Sequence, residues 1–331
     1  MFSIKNLAKT TGRRLLYHPH AGHIGIGLIG VGGCGWVNAC NIMKSRRFDI
    51  KGIYDKSVEN SKNFKDVFKV KDYSSYEAML RDKEIQAVVI TTPNHTHYAL
   101  VKEAADADKH IFVEKPLTSG ADDCRFLGRY CKSKGVVLMV GHQLRREPAF
   151  RFIKQVIRDQ ELGSVLFARG IRTVQRKQID WRNDPTICKS GAMEQLGVHI
   201  IDIFNNLFGE VKDAFGEVID ETTPTGPADR ARLLLTYSAN IHASVDVSFS
   251  SPNYLNLAIF GNKASVVTDG KYIYFRQAGK VNRIKPKGAK ASVGQFEELA
   301  DCIHKGTIPE TGAEVSARAV EPLANMTREI L

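Results

Sequence analysis

Near the start of the chain, Gly30-Val31-Gly32-Gly33-Cys34-Gly35 spells G-x-G-x-x-G, a spacing that few backbones accommodate. It follows an apolar run, IGIGLIG (24–30), and leads into WVNACNIMKS, which has helical length and composition. In that strand–turn–helix setting the glycines have separate tasks. Gly30 permits the tight turn, Gly32 lets a pyrophosphate approach the backbone, and Gly35 lets helix and strand pack closely. Gly33 and Cys34 complete a loop whose unpaired N–H groups and positive helix-dipole end suit phosphate. Asp55 closes the next strand-like run, 20 residues after Gly35. A carboxylate there accepts hydrogen bonds from a ribose diol and repels a 2′-phosphate. The expected cofactor is NAD, with NADP disfavoured and the adjacent Lys56 softening the preference.

The segments that follow fit this start. The apolar runs FDIKGIYD (48–55), IQAVVITT (85–92), HIFVEKP (110–116) and GVVLMVG (135–141) alternate with stretches of helical length. Continuous apolar strands separated by helices predict a parallel sheet wrapped on both faces, an α/β Rossmann domain. After about residue 150 the rhythm changes. A helix, PAFRFIKQVIRD, leads to the strand-like SVLFARGIRTV, and a second helix, AMEQLGVHIIDIFNNLF, follows a polar loop. Strand-like runs then succeed one another without helices, which predicts an α+β domain with an open, mainly antiparallel sheet. The ending, SVGQFEELADCIHKG and EVSARAVEPLANMTREIL, reads as two helices that pack back on the first domain. The expected organisation is an N-terminal arm over 1–22, a dinucleotide-binding domain over 23–142, and a substrate and oligomerisation domain over 143–331.

Charge and cysteine usage narrow the classes of function. The formal net charge is +11, but residues 1–48 hold seven Lys or Arg and no acid, so most of the excess is N-terminal. No basic stripe is interleaved with aromatics, and nucleic acid is not an expected partner. No run of eighteen apolar residues predicts a membrane span. The six cysteines form no Cys-x-x-Cys pair, which argues against a disulfide framework and for reduced thiols in a cytoplasm.

Four further motifs arrive in a telling order. Thr91-Thr92-Pro93-Asn94-His95-Thr96-His97 follows the third strand-like run, Glu114-Lys115-Pro116 the fourth, and Gly141-His142-Gln143-Leu144-Arg145 the fifth. Gly191-Ala192-Met193-Glu194-Gln195-Leu196-Gly197-Val198-His199 opens the later helix. Together with the glycine loop, these resemble the glucose-fructose oxidoreductase/inositol dehydrogenase (Gfo/Idh/MocA) family over nearly the whole chain. The resemblance implies NAD-dependent hydride transfer at a secondary hydroxyl of a sugar, cyclitol or sugar derivative. It implies that Thr92, Pro93, Asn94, His97 and Glu114 line the nicotinamide half of the cofactor site. It also implies that Lys115 reaches the reacting hydroxyl and that the Lys115–Pro116 peptide is cis. A cation at that oxygen lowers its pKa and stabilises developing alkoxide. His199 is the second catalytic candidate, an imidazole suited to general-base work, with Asp202 three residues on along the same helix.

One position departs from the family pattern. Many of these dehydrogenases carry an aspartate four residues before the histidine, and this chain has Gln195. Glu194 is adjacent, but one helical step turns about 100°. The neutral amide keeps an alternative open: a non-catalytic dinucleotide- and sugar-binding regulatory protein of the same fold. The segments carrying Arg145, Trp181, Arg182 and Lys189 are those that the resemblance sets around the substrate cleft, with Gln195 and His199. Three cations there favour an anionic substrate. His95 and His97 lack ligand partners at metal spacing, so no metal is expected. Cys34, at a helix N-terminus, is expected to have a lowered thiol pKa. A large apolar sheet face needs covering, which predicts a homo-oligomer.

Overall fold

The run IGIGLI forms β1 (Ile24–Ile29), every residue of which is buried, as a strand covered on both faces requires. The computed structural model describes residues 23–176, 181–184, 186–188, 190–220, 229–288 and 290–330. The expected arm over 1–22 and Lys189 lie outside the described residues. Five more strands join β1: β2 (Phe48–Tyr54), β3 (Lys71–Asp72), β4 (Ala87–Ile90), β5 (His110–Val113) and β6 (Leu138–Val140). The order is β3-β2-β1-β4-β5-β6, and every pairing is parallel. The order reverses between β1 and β4, so a crevice opens at their carboxyl ends.

Helices cover both faces of this sheet: α1 (Gly33–Ser45), α2 (Val58–Phe68), α3 (Tyr76–Leu80), α4 (His97–Asp106) and α5 (Ala121–Ser133). Local chemistry starts several of them. The Ser57 hydroxyl accepts the Asn60 N–H at 3.2 Å and the Ser75 hydroxyl accepts the Ala78 N–H at 3.0 Å, capping α2 and α3. Helix α1 has no side-chain cap at Gly32, so its first N–H groups are left for another partner.

The second sheet has nine strands: β7 (Val165–Thr173), β8 (Val211–Asp220), β9 (Arg230–Tyr237), β10 (His242–Ser248), β11 (Tyr254–Gly261), β12 (Ala264–Thr268), β13 (Ile273–Gln277), β14 (Lys280–Ile284) and β15 (Met326–Ile330). They lie in the order β14-β13-β12-β11-β7-β10-β9-β8-β15. Only β7–β10 and β8–β15 pair in parallel; the other contacts are antiparallel. Four helices accompany it: α6 (Pro148–Arg158), α7 (Val198–Phe208), α8 (Ala291–Lys305) and α9 (Ala313–Val320). Helix α8 lies against the first sheet, where Phe296 meets Phe112 at 4.8 Å and Phe48 at 6.4 Å between ring centroids.

The last segment differs from expectation. Helix α9 stops at Val320, Glu321–Asn325 forms a 3-10 turn with Pro322 near its start, and Met326–Ile330 is strand β15. A proline cannot continue the hydrogen-bond ladder of a helix interior, and the free edge of β8 offers the following residues a partner instead.

Strand β7 sets the distance between sheet and helix. Side chains alternate faces along a strand, and Ala168 and Gly170 lie on the covered face. A Cβ on Gly170 would sit 2.2 Å from Ile200 Cγ2 on α7. Only hydrogen lets α7 settle at this depth, and α7 carries His199. Gly170→Ala is expected to destabilise the fold by about 1–3 kcal/mol through overpacking, read as a lower urea midpoint. An unchanged midpoint would mean that α7 does not depend on this contact.

Candidate active site

Two adjoining cavities, of about 610 and 480 Å3, meet at Gly33, Cys34, Glu114 and Lys115. The larger follows the carboxyl ends of β1, β2 and β4. Its floor is the glycine loop. Gly30 has φ +81°, a conformation L side chains rarely adopt, and a Cβ on Gly35 would lie 2.4 Å from the Gly30 carbonyl oxygen. Gly32 and Gly33 are different: a Cβ on either would meet nothing within 4 Å. They border open space in front of the uncapped N-terminus of α1. Backbone N–H groups facing a bare cleft fit a pyrophosphate.

Asp55 stands at the far end of that cleft. Its carboxylate accepts the Val31 N–H at 2.7 Å and the Ser57 N–H at 2.8 Å. The residue expected to read a ribose therefore also fixes the glycine loop. Tyr54, Lys56 and Asn60 line the same end. The residues present fit a dinucleotide along the whole cleft.

Thr92, Pro93, Asn94 and His97 line its opposite wall. His97 is buried between two carbonyl oxygens, with Nδ1 2.9 Å from Pro116 O and Nε2 3.0 Å from Thr92 O. The ring braces the Thr92 loop against the end of β5, where the Lys115–Pro116 peptide is cis. Burial outweighs the two carbonyls and holds the His97 pKa down to about 4, so the ring is neutral and donates to one of them.

Lys115 projects from the end of β5, and its Nζ donates to the Gln195 carbonyl oxygen at 2.8 Å. That carbonyl belongs to a π turn, Met193–Gly197, which leads into α7. Such turns recur at functional sites. Burial lowers the Lys115 pKa to about 8; Glu114 works against the shift, and Arg172 and Arg182 add to it. Glu114 accepts a hydrogen bond from Asn38 Nδ2 at 2.9 Å.

His199 is buried and lines the 480 Å3 cavity with Lys115 and Gln143. Among the described residues its Nδ1 has no partner. Burial, then Lys115, Arg172 and His142, hold its pKa well below the ordinary range, so the imidazole stays uncharged. Trp181 and Arg182 line the larger cavity, and the Arg182 guanidinium lies 4.5 Å from the Trp181 ring centroid. Gln195 also lines it, and its Nε2 donates to Cys188 Sγ at 3.6 Å.

Several expectations are corrected. Arg145 does not reach the cleft: its guanidinium grips both oxygens of Asp202, with Nε at 3.1 Å, and both residues are buried. Asp202 consequently serves Arg145 and not His199. The Cys34 thiol pKa is raised, not lowered: the residue is exposed at the cleft wall, yet desolvation of the thiol and the Glu114 charge outweigh Lys115 and Arg182. Glu194 turns away from Lys115 into a buried pocket, where it accepts from Ser119 Oγ at 2.6 Å and from Asn94 Nδ2. Asn38 and Gln143 line the smaller cavity without having been foreseen, and His142 and Arg172 act electrostatically on His199. Of these, Arg172 carried a readable signal, because β7 alternates and Gly170 marks its covered face.

The description "Oxidoreductase family, NAD-binding Rossmann fold" matches residues 24–142, and "GFO/IDH/MocA C-terminal domain" matches 150–267. An uncharacterized oxidoreductase, YrbE, of Bacillus subtilis (strain 168) is 28% identical over 252 residues, covering 73% of each chain. Levoglucosan dehydrogenase of Pseudarthrobacter phenanthrenivorans is 28% identical over 225 residues, covering 59% of this chain and 58% of that enzyme. A crystal structure from Desulfitobacterium hafniense, described as an NADPH-dependent oxidoreductase, superimposes with a TM-score of 0.85 at 25% identity. It covers 92% of this chain and 94% of its own.

The Arg145–Asp202 pair can be tested directly. Asp202→Ala leaves a buried guanidinium without its bidentate partner and is expected to cost about 3–5 kcal/mol, measured by urea denaturation. A loss below about 1 kcal/mol would show that the pair does not hold α7.

Proposed function

Because the chain belongs to the GFO/IDH/MocA family of NAD-binding oxidoreductases, we propose that it oxidises or reduces a secondary hydroxyl or carbonyl of a sugar, cyclitol or sugar derivative. The observation that carries this reading is Lys115: a partly buried ammonium with a pKa of about 8, at the seam between the two cavities. The likeness to levoglucosan dehydrogenase supports a sugar-type substrate.

In this reading Gly30, Gly32, Gly33, Cys34 and Gly35 hold the pyrophosphate, Asp55 takes the adenosine ribose, and Thr92, Pro93, Asn94, His97 and Glu114 flank the nicotinamide. Bound there, the dinucleotide supplies a hydride acceptor or donor. The protein's part is the proton. Neutral Lys115 takes the proton from the substrate hydroxyl as it becomes a carbonyl, and protonated Lys115 returns it in the reverse direction. His199, held uncharged, aligns the same oxygen by a hydrogen bond and leaves the charge to Lys115. Trp181, Arg182 and Gln195 border the substrate. A lysine whose pKa lies near neutrality suits proton exchange, which favours an enzyme over a regulatory binder despite Gln195.

Two finer readings accompany this one. Phe167, Phe215, Leu234 and Tyr254 are exposed on the outer face of the nine-stranded sheet, and burial of this face in a homo-oligomer would remove an apolar surface from water. The described cysteines are free thiols, in keeping with a cytoplasmic setting. Among the described residues no helix is long and apolar enough to cross a membrane.

Two outcomes are expected. Lys115→Ala lowers kcat by about 100- to 10,000-fold with NADH affinity nearly unchanged. In the wild type, kcat/KM for oxidation rises with pH and levels off above about 8, as Lys115 becomes neutral, whereas reduction falls above the same pH. Retained turnover in the variant, or a flat profile, removes Lys115 from the proton chemistry. Calorimetry should also show NADH binding more tightly than NADPH, with Asp55→Ala narrowing the gap; equal affinities in the wild type would contradict the role of Asp55.

A further inference from the structure

Strand β7 alternates its arginines. Arg169 points to the outer face, where it and Arg232 flank Asp246 at 3.4 and 2.6 Å. Arg172 falls on the other face, two residues beyond Gly170, which abuts Ile200 beside His199. Its strand partners are Val247, which is buried, and Leu255, which is half-buried. Among the described residues no acid stands within ion-pair distance of this guanidinium, and burial lowers its pKa with no carboxylate to oppose the shift. Arg172 is half-buried, so part of its side chain stays open to an incoming anion.

The described acids of the region are already engaged. Glu114 receives Asn38, Glu194 receives Ser119 and Asn94, and Asp202 receives Arg145. Beside them lie buried polar atoms with no partner among the described residues: His199 Nδ1, both ring nitrogens of His142, and Gln143 Oε1. Lys115 and His199 line one cavity, and Arg172 stands on the face of β7 that packs against the helix carrying His199. Among the described residues, this region holds cations and unpartnered polar atoms, and the acids named above are all engaged.

We infer that the substrate carries an oxyanion, a carboxylate or a phosphate, which Arg172 receives while the reacting hydroxyl lies at Lys115. This rests on the oxidoreductase reading above and adds the substrate class: an acidic sugar derivative. A guanidinium binds either oxyanion through two parallel hydrogen bonds, which a neutral hydroxyl cannot match. The substrate thereby supplies the missing negative charge. The rival account is that Arg172 balances the dinucleotide, and it makes a different prediction.

The test compares D-glucose, D-glucuronate, D-gluconate and D-glucose 6-phosphate. NADH-bound protein is titrated with each by calorimetry, and NAD-dependent turnover is measured in parallel, for wild type, Arg172→Met and Arg172→Lys. NADH affinity is measured for all three proteins. The expected result is an acid-over-neutral preference of about 10- to 100-fold in binding to the wild type. The preference is lost in Arg172→Met and partly kept in Arg172→Lys, with NADH affinity within about twofold. Selective binding of the uronate and aldonate identifies a carboxylate, and selective binding of the sugar phosphate identifies a phosphate; either supports the inference. A wild type that binds glucose as well as the acids overturns it while leaving the oxidoreductase reading intact. A parallel loss of NADH affinity in Arg172→Met overturns it in favour of the dinucleotide. Failure of wild type to bind NADH overturns the oxidoreductase reading itself.

Discussion

The hydrogen bond from Lys115 Nζ to the Gln195 carbonyl runs from the end of a parallel strand to the π turn before α7. The two ends have separate origins. Lys115 is set by β5 and by the His97 brace beneath it. Gln195 is set by the packing of α7 on β7, where Gly170 lets the helix come close. The lysine is therefore held by a neutral dipole and not by a carboxylate, and it loses solvation without gaining a full counter-charge. Its lowered pKa follows from that arrangement.

The same logic sorts the other charges of the junction. Asp202 lies one turn from His199, and an aspartate free to hold that imidazole would favour its charged form. The carboxylate is instead taken by Arg145, and His142 Nδ1, 3.7 Å from it, is beyond hydrogen-bonding reach. Both histidines are left neutral. On the proposed reading a proton at this junction is carried by Lys115, with Gln195 where a carboxylate is the commoner choice.

How much of this could be read beforehand depended on how local each signal was. The glycine loop and the Glu114-Lys115-Pro116 run place strict demands on a few consecutive residues, and the parallel sheet followed from its buried runs. Arg145 was misplaced and Arg172 went unforeseen because their positions are set by distant parts of the chain. Arg145 meets Asp202, 57 residues away, whereas Arg172 depends on which face of β7 is covered. The Cys34 thiol followed desolvation and Glu114 over its helix position. Strand β15 was hidden by its polar composition and by a partner, β8, more than a hundred residues earlier, although Pro322 marked the end of the helix.

The central claim is that the Lys115 ammonium is depressed toward neutrality by its surroundings, and it can be measured without knowing the substrate. The protein would be pulse-labelled with an amine-acylating reagent across a pH series, and the modified peptide quantified by mass spectrometry. The account predicts that Lys115 reactivity titrates at about 8. A titration at the ordinary lysine value, about 10.4, would contradict it.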